Sequence, residues 1–180
     1  MINVENSERL SFRLMDENDG ELLFELDQDP EVMKFINGGK SSTWDDINNR
    51  FIPRLNAYRK PSEGWGLWQV NITDSDEFIG WVLVRPVDFF NEQPLWNDLE
   101  LGWRFKQNSW GKGYGFEAAQ QIKNALAQLG KADFFTALAD DGNLGSINIM
   151  KKLGMTYLKT DLHKDPLGDV DVVYYQMKAT

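Results

Sequence analysis

The chain has 180 residues, 42% of them hydrophobic and 26% charged, with no cysteine and a formal net charge of -9. This composition excludes a disordered chain, and at this length roughly 70% of the unfolded surface is buried, so one domain spanning 1–180 needs neither disulfide nor metal. The missing cysteines exclude a thiol nucleophile, a thiolate zinc site and a disulfide framework; the acidity speaks against nucleic acid or an anionic membrane as partner, and it accommodates a cationic amine or simply serves solubility.

Leu10-Ser11-Phe12-Arg13-Leu14 alternates as a half-buried strand, and Glu21 to Leu26 is a short helical run. Asp29-Pro30-Glu31 opens a further turn of helix. Trp44, Ile47, Phe51, Leu55 and Tyr58 recur at spacings of three or four, predicting an amphipathic helix with Thr43 as N-cap and a kink at Pro53. A hairpin follows, with arms Leu67–Ile72 and Phe78–Val84 around the turn-rich Asp74-Ser75-Asp76. Leu99 to Phe105 reads as a strand that leads into glycines 111, 113 and 115. Beyond them a helix runs to about Leu129, with Ala118, Ile122, Ala125, Leu126 and Leu129 as its buried stripe and Gly130 at its end. Phe134–Ala139 is a strand, so strand, turn, helix and strand form a crossover unit with parallel strands. A helix near Leu144–Leu153 ends at Gly154, and strands at about Tyr157–Thr160 and Val170–Lys178 flank a polar loop, Asp161–Asp169. No stretch approaches the roughly 20 apolar residues of a membrane span, and Met1-Ile2-Asn3-Val4-Glu5 lacks the order of a signal peptide, so a cytoplasmic location is expected.

Three glycines at alternate positions before a helix let the backbone curl around an anion. The N–H groups and the helix dipole would then face a diphosphate, with Lys112 adding charge. The same spacing also serves a tight turn without a ligand. A Walker loop is absent. Gly113-Tyr114-Gly115-Phe116-Glu117-Ala118 matches the dinucleotide pattern formally, but too little chain follows for a second mononucleotide half, so a dinucleotide enzyme is the weaker reading.

Trp110-Gly111-Lys112-Gly113-Tyr114-Gly115 resembles the coenzyme A loop of the GNAT N-acyltransferases, Gln/Arg-x-x-Gly-x-Gly/Ala, with Trp110 replacing the usual first residue. Glu100-Leu101-Gly102-Trp103 is similar to the Glu-Ile-Gly-Tyr of that family's fourth strand. Asn143-Leu144-Gly145-Ser146 with Lys152-Leu153-Gly154-Met155, together with Asp29-Pro30-Glu31-Val32 and Phe78-Ile79-Gly80-Trp81, resembles the branch that includes the ribosomal-protein alanine N-acetyltransferases. The resemblance implies an α/β domain with a mixed, splayed, twisted sheet flanked by helices. It also implies acetyl-CoA as co-substrate with no metal, and an amine-bearing acceptor such as a protein N-terminus or a small molecule.

Acyl transfer from a thioester to an amine needs an unprotonated nucleophile, a stabilised oxyanion and a protonated leaving thiolate. Glu100 is the candidate base; Glu100, Gly102 and Arg104 share one strand face, and Leu101, Trp103 and Phe105 share the other. A solvated carboxylate or an ion pair is the alternative for Glu100. By the resemblance, Ser146 lies near the sulfur, Asn143 contacts the pantetheine arm, and backbone groups of Trp103, Arg104 and Phe105 meet the pantetheine and thioester carbonyl. Asn143 and Ser146 also suit a plain helix start. In the other branch of the family a Tyr acid stands seven residues after the Asn; here Met150 occupies that place. Phe35, Trp44, Trp81 and Trp96 fall in segments that flank the family's acceptor cleft. His163, beside Lys164 and Asp165, reads as structural or solvent-exposed, and one histidine among scattered carboxylates makes neither a metal site nor a triad. A non-catalytic acyl-CoA-binding module on the same fold is the alternative function.

Overall fold

The computed structural model describes every residue from Met1 to Thr180. Strands β1 (Leu10–Leu14), β2 (Gly66–Ile72), β3 (Glu77–Val87), β4 (Leu95–Phe105), β5 (Phe134–Ala139), β6 (Thr156–His163) and β7 (Val170–Lys178) form one sheet in the order β1-β2-β3-β4-β5-β7-β6. Every neighbouring pair is antiparallel except β4 and β5. That parallel pair is joined by helix α5 (Tyr114–Ala127), as the crossover pattern predicts. Before β2 come α1 (Gly20–Leu26), α2 (Pro30–Asn37) and the run α3 (Trp44–Asp46), a π-helical turn (Ile47–Phe51) and α4 (Ile52–Tyr58); α6 (Leu144–Lys152) follows β5. No helix is long and apolar enough to cross a membrane.

Local chemistry sets the ends of these elements. Asp29 caps α2 by accepting from Glu31 N, with Pro30 at the first helical position, where a missing N–H costs nothing. Thr43 and Asp46 form a reciprocal capping box. Pro53 perturbs its helix as expected: the turn just before it is π-helical, and the chain then continues as α4. Four boundaries differ from the sequence reading by two residues or more. β4 begins at Leu95 and β3 runs on through Val87. α5 stops at Ala127, leaving Leu129 exposed past its end, although Gly130 does turn left-handed at φ 63°. β6 extends to His163, so the polar loop is only 164–169.

The alternation of β4 divides the molecule. Leu99, Leu101 and Phe105 pack with Val82, Phe135, Ala118, Ile122, Leu126 and Met150 in the main core beneath α5 and α6. The opposite face carries a smaller core of Met15, Leu23, Ile47, Leu55, Tyr58, Leu67 and Leu83 under α1 to α4. Glu100 and Arg104 lie on this second face, opposite Arg85 and Trp81 of β3.

Candidate active site

β4 and β5 pair only at Asp98–Phe134, Leu99–Phe135 and Glu100–Thr136. Past Glu100, β4 stays with β3 as far as Phe105, and β5 stays with β7 as far as Ala139, so the sheet opens between them. A buried clamp fixes the point of opening: the Asp98 carboxylate accepts from Thr136 Oγ1 at 2.7 Å and from Gln176 Nε2 at 2.9 Å, tying β4 to β5 and β7. Burial pushes the Asp98 carboxyl above its ordinary range, against the pull of these hydrogen bonds.

Hydrogen-bond parity shows which peptide groups face the gap. Lys106 N donates to Ile79 O, which continues the β3–β4 register and makes Trp81–Arg104 a hydrogen-bonded pair. The peptides of Trp103 and Phe105 therefore point away from β3, into the gap, whereas that of Arg104 is directed at β3. On the other wall, Ala179 N donates to Asp133 O, and the same alternation turns the peptide of Leu138 to the gap. Sequence reading did not single out Leu138, because strand parity depends on registers that only the folded sheet fixes.

The glycine turn lies at this open end. Gly111 (φ 71°) and Gly113 (φ 82°) are left-handed, a conformation L side chains adopt only at a cost. Gly115 plays a different part: a Cβ there would stand 2.8 Å from Ile149 Cδ1 and 3.4 Å from the Phe105 ring, so its smallness seats α5 against α6 and the end of β4. The N–H groups from Gly111 to Phe116 have no acceptor in the protein, and together they make a candidate anion seat at the start of α5. From outside, Arg9 braces this seat. Its Nη1 donates to Lys112 O at 2.9 Å, its Nε to Glu117 Oε2 at 2.7 Å, and its guanidinium lies 4.4 Å from the Tyr114 ring centre. Burial opposes ionisation of Glu117, but bonds from Ser7, Arg9 N and the Arg9 side chain hold its carboxyl below the ordinary range. Trp110 is half-exposed, and its Nε1 donates to Phe105 O, tying the turn back to β4.

Asn143 caps α6, its Oδ1 accepting from Ser146 N at 3.2 Å, which leaves the side-chain amide NH₂ without a protein partner. Ser146 Oγ receives the Trp103 indole N–H at 3.1 Å. An indole can only donate, so the serine acts as acceptor in that bond and its own proton remains free. Trp103 thus contributes its side chain as well as its backbone, a pairing that 43 residues of separation concealed in the sequence.

Glu100 is buried at 5% exposure and is ion-paired: Arg85 Nε donates to its Oε2 at 2.9 Å. Its other oxygen has no protein partner and reaches solvent. The Arg85 guanidinium lies beside the Tyr58 and Phe90 rings, 5.5 and 5.6 Å from their centres, and burial lifts the Tyr58 phenol to about 12. Arg85 was missed, though a lone cation inside the apolar run Ile79–Val87 is a readable sign of a buried partner. Nearby, Arg54 pairs with Asp165 and stacks 4.0 Å from the Phe90 ring centre. His163 is neither exposed nor in a loop: it ends β6, its side chain only 12% exposed, with Nδ1 3.2 Å from the Tyr174 hydroxyl and Nε2 3.8 Å from Asp165.

The four aromatic candidates do not form one wall. Phe35, on α2, comes close to Gly142 after β5, at the mouth of the gap. Trp44 is stacked on Phe24 at 4.2 Å, and Trp81 lies under the Arg104 guanidinium at 5.0 Å. Trp96 is four residues from Glu100, roughly 13 Å along β4 and away from the opening, where it stacks on Trp65.

Unpaired N–H groups at a helix start beside an opened sheet suit a long ligand with an anionic end. The model of the acetyltransferase (GNAT) domain matches residues 9–156. The chain belongs to that family and is a GNAT acetyltransferase. It is 32% identical over 158 residues to YkkB, an uncharacterised protein of Bacillus subtilis (strain 168), covering 86% of both chains. It is 31% identical over 147 residues to the FsC-acetyl coenzyme A-N(2)-transacetylase of Aspergillus fumigatus, covering 80% of this chain and 61% of that one. The fold matches the crystal structure of a GNAT-family acetyltransferase from Bacillus anthracis with a TM-score of 0.74, at 24% identity and 97% coverage of both chains.

Proposed function

We propose that the protein transfers an acetyl group from acetyl-CoA to a primary amine, a protein N-terminus or a small molecule, by direct attack. The observation that carries this reading is the opening of the sheet at Glu100, with unspent backbone N–H groups at its far end. The residues fit the donor. The seat from Gly111 to Phe116 and Lys112 suit a diphosphate; the Asn143 amide, the free peptides of Trp103 and Leu138 and the Phe105 N–H suit the amides of a pantetheine arm.

Acetyl-CoA supplies the activated acyl group, and the chain's own residues bind, orient and move protons. As the C–N bond forms, the amine's proton passes to the free oxygen of Glu100, directly or through water. As the C–S bond breaks, Ser146, positioned by Trp103, donates its free proton or a hydrogen bond to the sulfur. A base is useful because free α-amino and lysine amines titrate near roughly 8 and 10.4. Glu100→Gln is expected to lower turnover about 10²-fold or more with little loss of coenzyme affinity. Turnover that is unchanged between about pH 6 and 9 would remove Glu100 from the mechanism.

A further inference from the structure

Strand β6 is the free edge of the sheet, and seven of its eight residues are exposed. The hydrogen-bond parity derived for β5 and β7 runs outward to β6. The peptides of Val170, Val172 and Tyr174 face β6, so those of His163, Asp161 and Lys159 are spent on β7. Thr160 and Leu162 therefore turn N–H and C=O to solvent; the Leu162 N–H finds only the carboxylate of the preceding Asp161, at 2.9 Å. A bulge between Tyr157 and Lys159 alters the side-chain alternation. Tyr157 meets Tyr175 edge-on at 5.9 Å, and Thr160 lies opposite Val173, so Tyr157 shares a face with Thr160 and Leu162, and the bulge brings Leu158 to the same side. Tyr157, Leu158 and Leu162 are 57%, 49% and 43% exposed. A long open edge with an apolar row is what single-chain proteins blunt or cover.

We propose that a second copy of this chain covers that edge, β6 pairing antiparallel with its own equivalent about a two-fold axis at Thr160. The register is self-complementary. With Thr160 opposite its twin, Leu158 of one copy faces Leu162 of the other, and Lys159 faces Asp161. The exposed peptide of Thr160 supplies the central pair of hydrogen bonds, and that of Leu162 the flanking ones. Lys159 and Asp161, 3.0 Å apart within one chain, exchange partners across the axis without leaving a charge unmatched.

Sedimentation velocity on the full chain between about 1 and 100 µM tests the pairing. The wild type is expected to run at twice the chain mass. Thr160→Pro removes an N–H that makes no bond within the chain, so it should yield a folded monomer. Lys159→Asp and Asp161→Lys each place like charges opposite one another twice, and each should weaken association about tenfold or more. The double reversal K159D/D161K should restore it. Circular dichroism and thermal melting establish that each variant is folded. A wild type that remains monomeric to about 100 µM, or a dimer indifferent to Thr160→Pro and to the single reversals, overturns the proposal.

Discussion

The buried pair Arg85–Glu100 separates structural from chemical roles at the site. Both side chains are under a tenth exposed, so removing one charge strands the other in a low-dielectric surrounding. A stranded partner typically costs about 3–5 kcal/mol, which for a chain of this length lowers the melting temperature by about 6–20 °C. Arg85→Met and Glu100→Gln are each expected to fall in that range. The double variant leaves no unpaired charge, so it should lose less than the sum, with a coupling of about 2 kcal/mol in a denaturant cycle. Turnover, measured well below the melting temperature, should part the two residues: Arg85→Met keeps the carboxylate and stays within about tenfold of wild type, whereas Glu100→Gln falls about 10²-fold. Additive stabilities would refute the pairing. Equal loss of turnover in both singles, in proportion to stability, would leave Glu100 only a structural part.

Other outcomes follow from single contacts. Ser146→Ala should lower turnover about 10²-fold at nearly unchanged coenzyme affinity, and Trp103→Phe should reproduce part of that loss; a change in melting temperature alone would confine Ser146 to the helix end. Gly111→Ala meets no neighbour and should cost only its left-handed backbone, about 1–2 kcal/mol, whereas Gly115→Ala clashes with Ile149 and should be partly rescued by Ile149→Val. Rescue of both, or of neither, contradicts the distinct roles assigned to these glycines. The Asp165 carboxylate, 3.8 Å from Nε2, raises the His163 pKa above its ordinary value, against burial. Its stabilisation is therefore full below about pH 6.5 and is lost as pH rises through the folded value. His163→Gln should lower the melting temperature at about pH 5.5 and hardly at about pH 9; a pH-independent difference would refute the linkage.

Much of this was legible in the sequence because it is written in local signals. Asp29-Pro30, Thr43 and Asn143 announce helix starts that the structure reproduces as side-chain caps. The glycines marked the tight turn before α5, although spacing alone did not show that Gly115 serves packing while Gly111 and Gly113 serve backbone conformation. What stayed hidden is non-local. The bond from Trp103 to Ser146, the Arg9 brace on Lys112 and the Asp98–Thr136–Gln176 clamp each join residues from distant segments, and neither propensity nor periodicity carries that information. Edges were misjudged for a related reason. β4 reaches back to Leu95, and β6 forward to His163, because pairing with β3 and β7 extends strands through residues of modest β-propensity.

Thiol release from acetyl-CoA tests the central claim most directly. The wild type is incubated with acetyl-CoA, a thiol reagent and a panel of peptides with free N-termini, polyamines and aminoglycosides. The account predicts free coenzyme A thiol in step with acetylation of at least one amine, and loss of both with Glu100→Gln. Coenzyme A that raises the melting temperature while no amine elicits thiol release would contradict it and mark the chain as a non-catalytic acyl-CoA-binding module.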